Sequence, residues 1–306
     1  MLDDQTILIT GGTGSFGQRC TKIIFDRYKP KKVIIFSRDE FKQHEMAKEF
    51  PESSYPIRYF LGDIRDRDRL KTAFEGVDYV FHAAALKQIA TLEYNPTEAI
   101  RTNIDGANNI IHAALDRGVD RVLAISTDKA VNPINLYGAT KLVMEKLFIA
   151  ANAYGGKKVK FSAVRYGNVI GSRGSVIPYF LDLKEKGIKT FPITDVNMTR
   201  FWISLPQAVN FAIDAMCCME GEEIFVPKVP SMKIVDLARS IDPACEFRLI
   251  GMFKGEKLHE VLVSSNEGKE YRSDKNTEWL TKEKLMEMIN DHGNNSSKVT
   301  FRKITK

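Results

Sequence analysis

The chain has 306 residues, 43% hydrophobic and 27% charged, an ordinary globular balance with ample core for one large α/β unit or two fused lobes. Its net charge of +6 is spread along the chain, with no basic helix interleaved with aromatics, which argues against nucleic acid and for a small phosphorylated ligand. No apolar run approaches the ~20 residues of a membrane span and no signal-peptide pattern precedes the first strand, so no membrane partner and a cytoplasmic location are expected.

The first predicted strand, Thr6–Thr10, runs straight into Gly11-Gly12-Thr13-Gly14-Ser15-Phe16-Gly17, which opens a helix. Glycines at 11, 14 and 17 suit a tight turn whose bare backbone meets a pyrophosphate at a helix N-terminus. Strand, turn and helix together predict dinucleotide binding through Gly11, Thr13, Gly14, Ser15, Phe16 and Gly17.

The second strand, Val33–Phe36, is followed by Ser37, Arg38, Asp39 and Lys42. Ser37, Arg38 and Lys42 form a cradle for a 2′-phosphate and point to NADP. Asp39 keeps NAD open as the alternative, through a ribose hydroxyl. After the third strand, Ile57–Leu61, Asp63 is placed at the adenine edge and Ile64 at its face. The fourth, Tyr79–His82, ends in Ala83-Ala84-Ala85, small enough for a cofactor to pass closely. Lys87 beyond it is either a substrate contact or a surface lysine.

A helical segment, Asn95–Arg117, leads to the strand Val122–Ile125 and then to Ser126-Thr127-Asp128-Lys129-Ala130. A second helical segment, Leu136–Tyr154, carries Tyr137 and Lys141, which share one helix face. A fixed ammonium beside a phenol favours the phenolate, as a base for a hydroxyl proton requires. Asp128 and Lys129 add an acid and a second amine, unless they are only a solvated strand-end pair.

A sixth strand, Val159–Val164, completes an alternation that predicts a parallel, doubly wound Rossmann-type α/β sheet. Past residue 167, Gly, Ser and Pro become frequent. The expected division is a cofactor domain over 1–166 with a returning segment at about 200–227, a smaller substrate-binding lobe over 167–199 and 228–291, and a flexible tail over 292–306. Cys20, Cys217, Cys218 and Cys245 have no zinc-like spacing and the histidines are scattered, so no metal is expected.

Assembled, these motifs resemble the extended short-chain dehydrogenase/reductase family, and within it the inverting UDP-N-acetylglucosamine 4,6-dehydratases that begin pseudaminic acid synthesis. The likeness spans roughly residues 5–290. It rests on the glycine loop, Phe-Ser-Arg-Asp-Glu (36–40), His-Ala-Ala-Ala-Leu-Lys-Gln (82–88), Ser-Thr-Asp-Lys-Ala (126–130), Tyr-Gly-Ala-Thr-Lys (137–141) and Arg-Tyr-Gly-Asn-Val (165–169). Ser-Arg-Gly-Ser-Val-Ile-Pro (172–178), Met-Thr-Arg-Phe (198–201) and Gly-Glu-Lys-Leu-His-Glu (255–260) complete it. Lys129 discriminates, because retaining dehydratases of this superfamily carry Asp-Glu at this pair and simple epimerases carry neither acid nor base.

The resemblance implies that Tyr137, aided by Lys141, takes the 4-hydroxyl proton while hydride moves from C4 to NADP. Lys129 then removes the C5 hydrogen, Asp128 protonates the departing 6-hydroxyl, and hydride returns to C6 as Lys129 reprotonates C5 from the opposite face. Burial and Lys141 are expected to lower the Lys129 amine, and desolvation to raise Asp128. Thr127 is expected on the 4-hydroxyl and Asn103 among the cofactor contacts. Asn168, Val169, Arg173, Ser175 and Val176 are assigned to the nucleotide sugar, Thr190 and Ile193 to uracil, and Arg200 and Glu256 to diphosphate and ribose. Lys254 stands where relatives carry an arginine. The resemblance also implies association through helices of the main sheet, as a dimer or higher. The competing readings are an epimerase or reductase using Tyr137 and Lys141 alone, and a non-catalytic NADP sensor.

Overall fold

The computed structural model describes residues 1–154, 158–172, 174–290 and 299–305. The six apolar runs become parallel strands: β1 (Thr6–Thr10), β2 (Lys32–Ser37), β3 (Ile57–Leu61), β4 (Tyr79–His82), β5 (Arg121–Ile125) and β6 (Lys160–Val164). Every residue of β1 and β4 is buried, as strands covered on both faces must be. The sheet order β3-β2-β1-β4-β5-β6 reverses direction between β1 and β4. That switch point opens a crevice beyond the strand ends.

The crossover helices start where the sequence supplies caps. After α1 (Ser15–Arg27), α2 (Glu40–Glu49) is capped by Asp39, whose carboxylate accepts the Lys42 N–H, and α3 (Arg67–Ala73) by Asp66 in the same way. Between β4 and β5 the chain forms α4 (Ile89–Tyr94), α5 (Pro96–Ile100) and α6 (Gly106–Arg117), and α7 (Leu136–Ala151) follows with its N–H groups capped by Asn135. The expected single helix over 95–117 is thus broken. A wide π turn at Arg101–Asp105 separates α5 from α6 and buries Asn103.

Beyond β6 come β7 (Asn168–Val169), α8 (Val176–Glu185), β8 (Thr190–Ile193), β9 (Thr199–Ile203) and α9 (Leu205–Cys218). A Ser204/Gln207 capping box starts α9, which packs on α1 beneath the main sheet. It leads into β10 (Ile224–Pro227), which extends the sheet in parallel beside β6. Then β11 (Ser231–Lys233), α10 (Ile234–Ile241), β12 (Glu246–Leu249), β13 (Val261–Val263), β14 (Tyr271–Arg272) and α11 (Lys282–Asn290) build the smaller lobe. That lobe has its own core around Phe180, Phe191, Trp202, Leu237 and Leu285. Of the expected flexible tail, residues 301–304 are instead a strand, β15 (Phe301–Ile304), antiparallel to β10 at the sheet edge. Phe301 packs against Phe225 and Phe211, which gives this polar segment a reason to order.

Candidate active site

A cleft of about 1500 Å³ follows the switch point, between the main sheet and the smaller lobe. Its floor is the glycine loop. Gly11 has φ of +65°, and a Cβ there would lie 2.9 Å from the Ala84 backbone. Gly14 caps α1 without any side-chain hydrogen bond, so the helix N–H groups face the cleft bare. Thr13, Ser15 and Phe16 line the same wall, whereas Gly17 lies behind it, where a Cβ would meet the Gly12 carbonyl at 2.3 Å. Gly17 therefore closes α1 against the Gly12 turn and does not line the cleft. A cradle that any Cβ would fill, at an uncapped helix start, fits the pyrophosphate of a nicotinamide dinucleotide.

At one end of the cleft Ser37, Arg38, Lys42, Asp63 and Ile64 come together as expected from β2 and β3. Here Arg38 pairs with Asp63 at 3.5 Å and Lys42 with Asp39 at 2.7 Å, both cations half exposed. Asp63 also takes Arg65, and this pairing holds its carboxyl below the usual range against burial. Ala83, Ala84, Ala85 and Lys87 line the middle. Asn103 does not reach the cleft. Its side chain accepts the Leu86 N–H at 2.8 Å and donates to the Leu86 carbonyl and the Thr140 hydroxyl, so it fixes the loop after β4.

Thr127, Asp128, Lys129 and Tyr137 meet at the far end. A one-turn 3₁₀ helix at Asp128–Ala130 follows β5, and Thr127 accepts the Lys129 N–H. Helix α7 is pressed against this turn: a Cβ on Gly138 would lie 2.1 Å from the Lys129 carbonyl. Asp128 is fully buried; its Oδ1 accepts from Lys129 Nζ at 3.0 Å and from the Thr127 hydroxyl at 3.0 Å, and its Oδ2 has no partner. Burial, with the Glu260 charge, pushes the Asp128 carboxyl up.

Two expected shifts run the other way. Lys129 is raised, not lowered, because Asp128 and Glu260, the latter at 3.3 Å, together outweigh desolvation. The Tyr137 phenol is pushed up by burial, and the groups that oppose this are Lys129 and the Thr127 hydroxyl. Lys141 lies lower on α7, nearly buried, with its Nζ 3.2 Å from Met144 Sδ. Burial lowers it from 10.5 to about 8, against the pull of Glu145.

On the substrate side Asn168, Val169, Ser175, Lys254 and Glu256 line the cleft. Asn168 Oδ1 and Ser175 Oγ are buried without partners on this wall, an unmet demand that a polar ligand could satisfy. Several expected contacts lie elsewhere. Ile193 belongs to the smaller lobe's core, Thr190 is exposed on β8 in register with Glu246, and Val176 packs against that same core. Alternation along β8 turns Ile193 inward, so these residues leave the uracil site unassigned. Arg200 is buried behind the wall, donating to the Thr199 and Leu258 carbonyls and pairing with Glu256 at 3.5 Å. Arg173 lies outside the described residues. Glu260 was missed because its motif was read only for Glu256. Among the described residues no cluster of His, Cys, Asp or Glu could hold a metal ion, and no helix is long and apolar enough to cross a membrane.

The doubly wound sheet, the glycine cradle at its switch point and the Tyr137/Lys141 helix define an extended short-chain dehydrogenase/reductase. The chain belongs to the polysaccharide biosynthesis protein family, whose model matches residues 7–281. A UDP-N-acetylglucosamine 4,6-dehydratase (inverting) from Campylobacter jejuni subsp. jejuni is 54% identical over 268 residues, 87% of this chain and 80% of that one. A UDP-glucose 4-epimerase from Rickettsia massiliae is 44% identical over 278 residues, with 87% and 80% covered. The X-ray structure of Pen from Bacillus thuringiensis superposes with a TM-score of 0.87 at 36% identity, over 94% of this chain and 98% of that one.

Proposed function

We propose that this enzyme is a lyase that removes water from UDP-N-acetylglucosamine and inverts C5, giving the 4-keto-6-deoxy L-arabino sugar that opens pseudaminic acid synthesis. The observation that carries the reading is the Asp128–Lys129 contact on the turn beside Tyr137. A carboxyl and an amine joined by a hydrogen bond supply the acid and the base that an elimination needs on neighbouring carbons. The Campylobacter relative, identical at more than half of the matched positions, supports the same reaction.

Gly11, Thr13, Gly14, Ser15 and Phe16 would hold the cofactor pyrophosphate, and Ser37, Arg38 and Lys42 the 2′-phosphate of NADP. A nicotinamide bound there would supply the hydride chemistry, as acceptor for C4 and donor for C6. Tyr137 accepts the 4-hydroxyl proton as a phenolate and becomes the phenol, and Thr127 and the Lys129 charge favour that phenolate beforehand. Lys141, near its neutral point at pH 8, sits one turn behind. The 4-ketone acidifies C5–H, the Lys129 amine removes that proton, and Asp128 protonates O6 as it leaves. Asn168, Ser175, Lys254 and Glu256 grip the nucleotide sugar, and Arg200 holds Glu256 from behind the wall. We place the enzyme in the cytoplasm as a homo-oligomer, joined through α5, α6 and α7.

The Rickettsia relative's name supports a second reading, a UDP-sugar 4-epimerase working with Tyr137 and Lys141 alone. NMR of the product formed from UDP-N-acetylglucosamine in deuterated water separates them. Deuterium at C5 with loss of the 6-hydroxyl and L-arabino stereochemistry is expected. A product that keeps its 6-hydroxyl would establish the epimerase, and D-xylo stereochemistry would refute inversion.

A further inference from the structure

Glu260 has no part in the scheme above, yet it is a buried carboxylate directly beside Lys129. It is 2% exposed and lies 3.3 Å from Lys129 Nζ, 3.7 Å from Lys257 Nζ and 3.9 Å from Arg200 Nε. Its backbone N–H donates to the Ser273 hydroxyl at 2.9 Å, and β13 packs against the Asp128–Ala130 turn, so the fold holds it there. Its Oε2 is buried with no hydrogen-bond partner. An ionised carboxylate at this depth needs a compensating task as well as compensating cations.

We propose that Glu260 is a positioning residue for the elimination: it holds Lys129 Nζ against Asp128 and keeps one shared proton on that pair. This rests on the dehydratase reading. The groups facing Glu260 are Lys129 and Asp128 on the turn, Arg200 on β9 and Lys257 on its own segment. Glu256 faces Arg200, and the Tyr137 phenol faces Lys129. In this scheme the pair starts as the Lys129 ammonium and the Asp128 carboxylate, 3.0 Å apart. Moving the shared proton along their 3.0 Å hydrogen bond breaks one Nζ–H bond, forms one Oδ1–H bond, and leaves a neutral amine beside a neutral acid. The amine then takes the C5 proton, the C5–H electrons become the C5–C6 double bond, and the C6–O electrons leave with O6, which receives the Asp128 proton and departs as water. The pair ends as carboxylate and ammonium, the state in which it began, and the ammonium carries the proton that C5 must regain. Loss of the shared proton to solvent would stop this cycle, and the Glu260 charge is placed to prevent that loss.

The test is the pH dependence of kcat on UDP-N-acetylglucosamine with saturating cofactor. Glu260→Gln keeps the side chain's shape and removes its charge, so the alkaline limb is expected to fall by about one to two pH units. KM should change by less than about threefold, and Glu260→Asp should restore much of the limb. Lys257→Met removes a cation facing Glu260, so its alkaline limb is expected to move upward. Opposite movements would support the assignment. Unmoved limbs, or a drop in kcat uniform across pH, would overturn it, and if Glu260→Gln does not fold the Lys257→Met shift decides alone. Wild-type enzyme that forms no dehydrated product would sink the dehydratase reading separately.

Discussion

Arg165 and Glu145 are joined by two parallel hydrogen bonds, Nε to Oε1 at 3.0 Å and Nη2 to Oε2 at 2.7 Å, with both side chains 1% exposed. Glu145 lies one turn past Lys141 on α7, and Arg165 directly follows β6. The rest of the guanidinium reaches Glu267 and the Leu262 carbonyl. One arginine therefore ties the catalytic helix to the smaller lobe. Glu145→Ala removes the bidentate partner of a buried cation, leaving it Glu267 as its carboxylate, and should cost up to about 3–5 kcal/mol of stability. Urea unfolding checks this, and a loss below about 1 kcal/mol would show that the pair is solvated.

Lys141 is held in the fold against its own charge. Its pKa falls from 10.5 to about 8, so between those values the unfolded chain keeps a proton that the native one releases, and below pH 8 both carry it, the native one at a cost. The resulting penalty, up to about 3 kcal/mol, is full below pH 8 and vanishes as pH rises through 10.5. Lys141→Met should abolish turnover and yet raise the apo-enzyme Tm at pH 7. The gain should shrink toward pH 10. A lower Tm at pH 7 would contradict the buried, poorly compensated ammonium.

Arg38 and Lys42 are half exposed, and each already pairs with a carboxylate. If they receive a 2′-phosphate, replacing both with alanine should weaken NADP binding by about tenfold to a hundredfold and leave NAD binding within about threefold. Fluorescence titration of both cofactors measures the ratio. Equal losses for NAD and NADP would point to Asp39 and a ribose hydroxyl instead.

Lys129→Ala should reduce turnover by about a hundredfold or more while cofactor affinity stays near wild type. A single-turnover experiment with UDP-N-acetylglucosamine should still show reduced cofactor at 340 nm, formed more slowly because the Lys129 charge no longer favours the Tyr137 phenolate. An unchanged turnover would remove Lys129 from the role of base.

The core of this fold was legible because buried parallel strands are written as apolar runs. Thr6–Thr10, Ile57–Leu61 and Tyr79–His82 match the observed strands residue for residue. The glycine cradle was equally plain, since its spacing encodes a backbone geometry. Other features depend on contacts distant in the chain. Glu260 acquires its meaning only when β13 carries it to Lys129, and no local pattern marks that meeting. Ile193 looked like a ligand contact because its neighbourhood resembled one, but β-alternation turns it into the smaller lobe's core. The polar Phe301–Ile304 segment hid a strand, since its order comes from β10 and two aromatic partners and not from its own hydrophobicity. The Lys129 shift was misread for the same reason: burial can be guessed from sequence, whereas the second carboxylate that overrides it cannot.

Gly138, pressed on the Lys129 carbonyl, follows Tyr137 directly. The helix that carries the phenol and the turn that carries the amine therefore behave as one block, with no slack for a hinge between them. In the proposed reaction, oxidation at C4 and proton removal at C5 would be served from fixed stations, set by a contact too close for any side chain. The hexose is left as the component that shifts as the reaction proceeds. Directed changes of substrate should accordingly succeed at the walls that hold the sugar, around Asn168 and Ser175, and fail at position 138, where even one methyl group would prise the two stations apart.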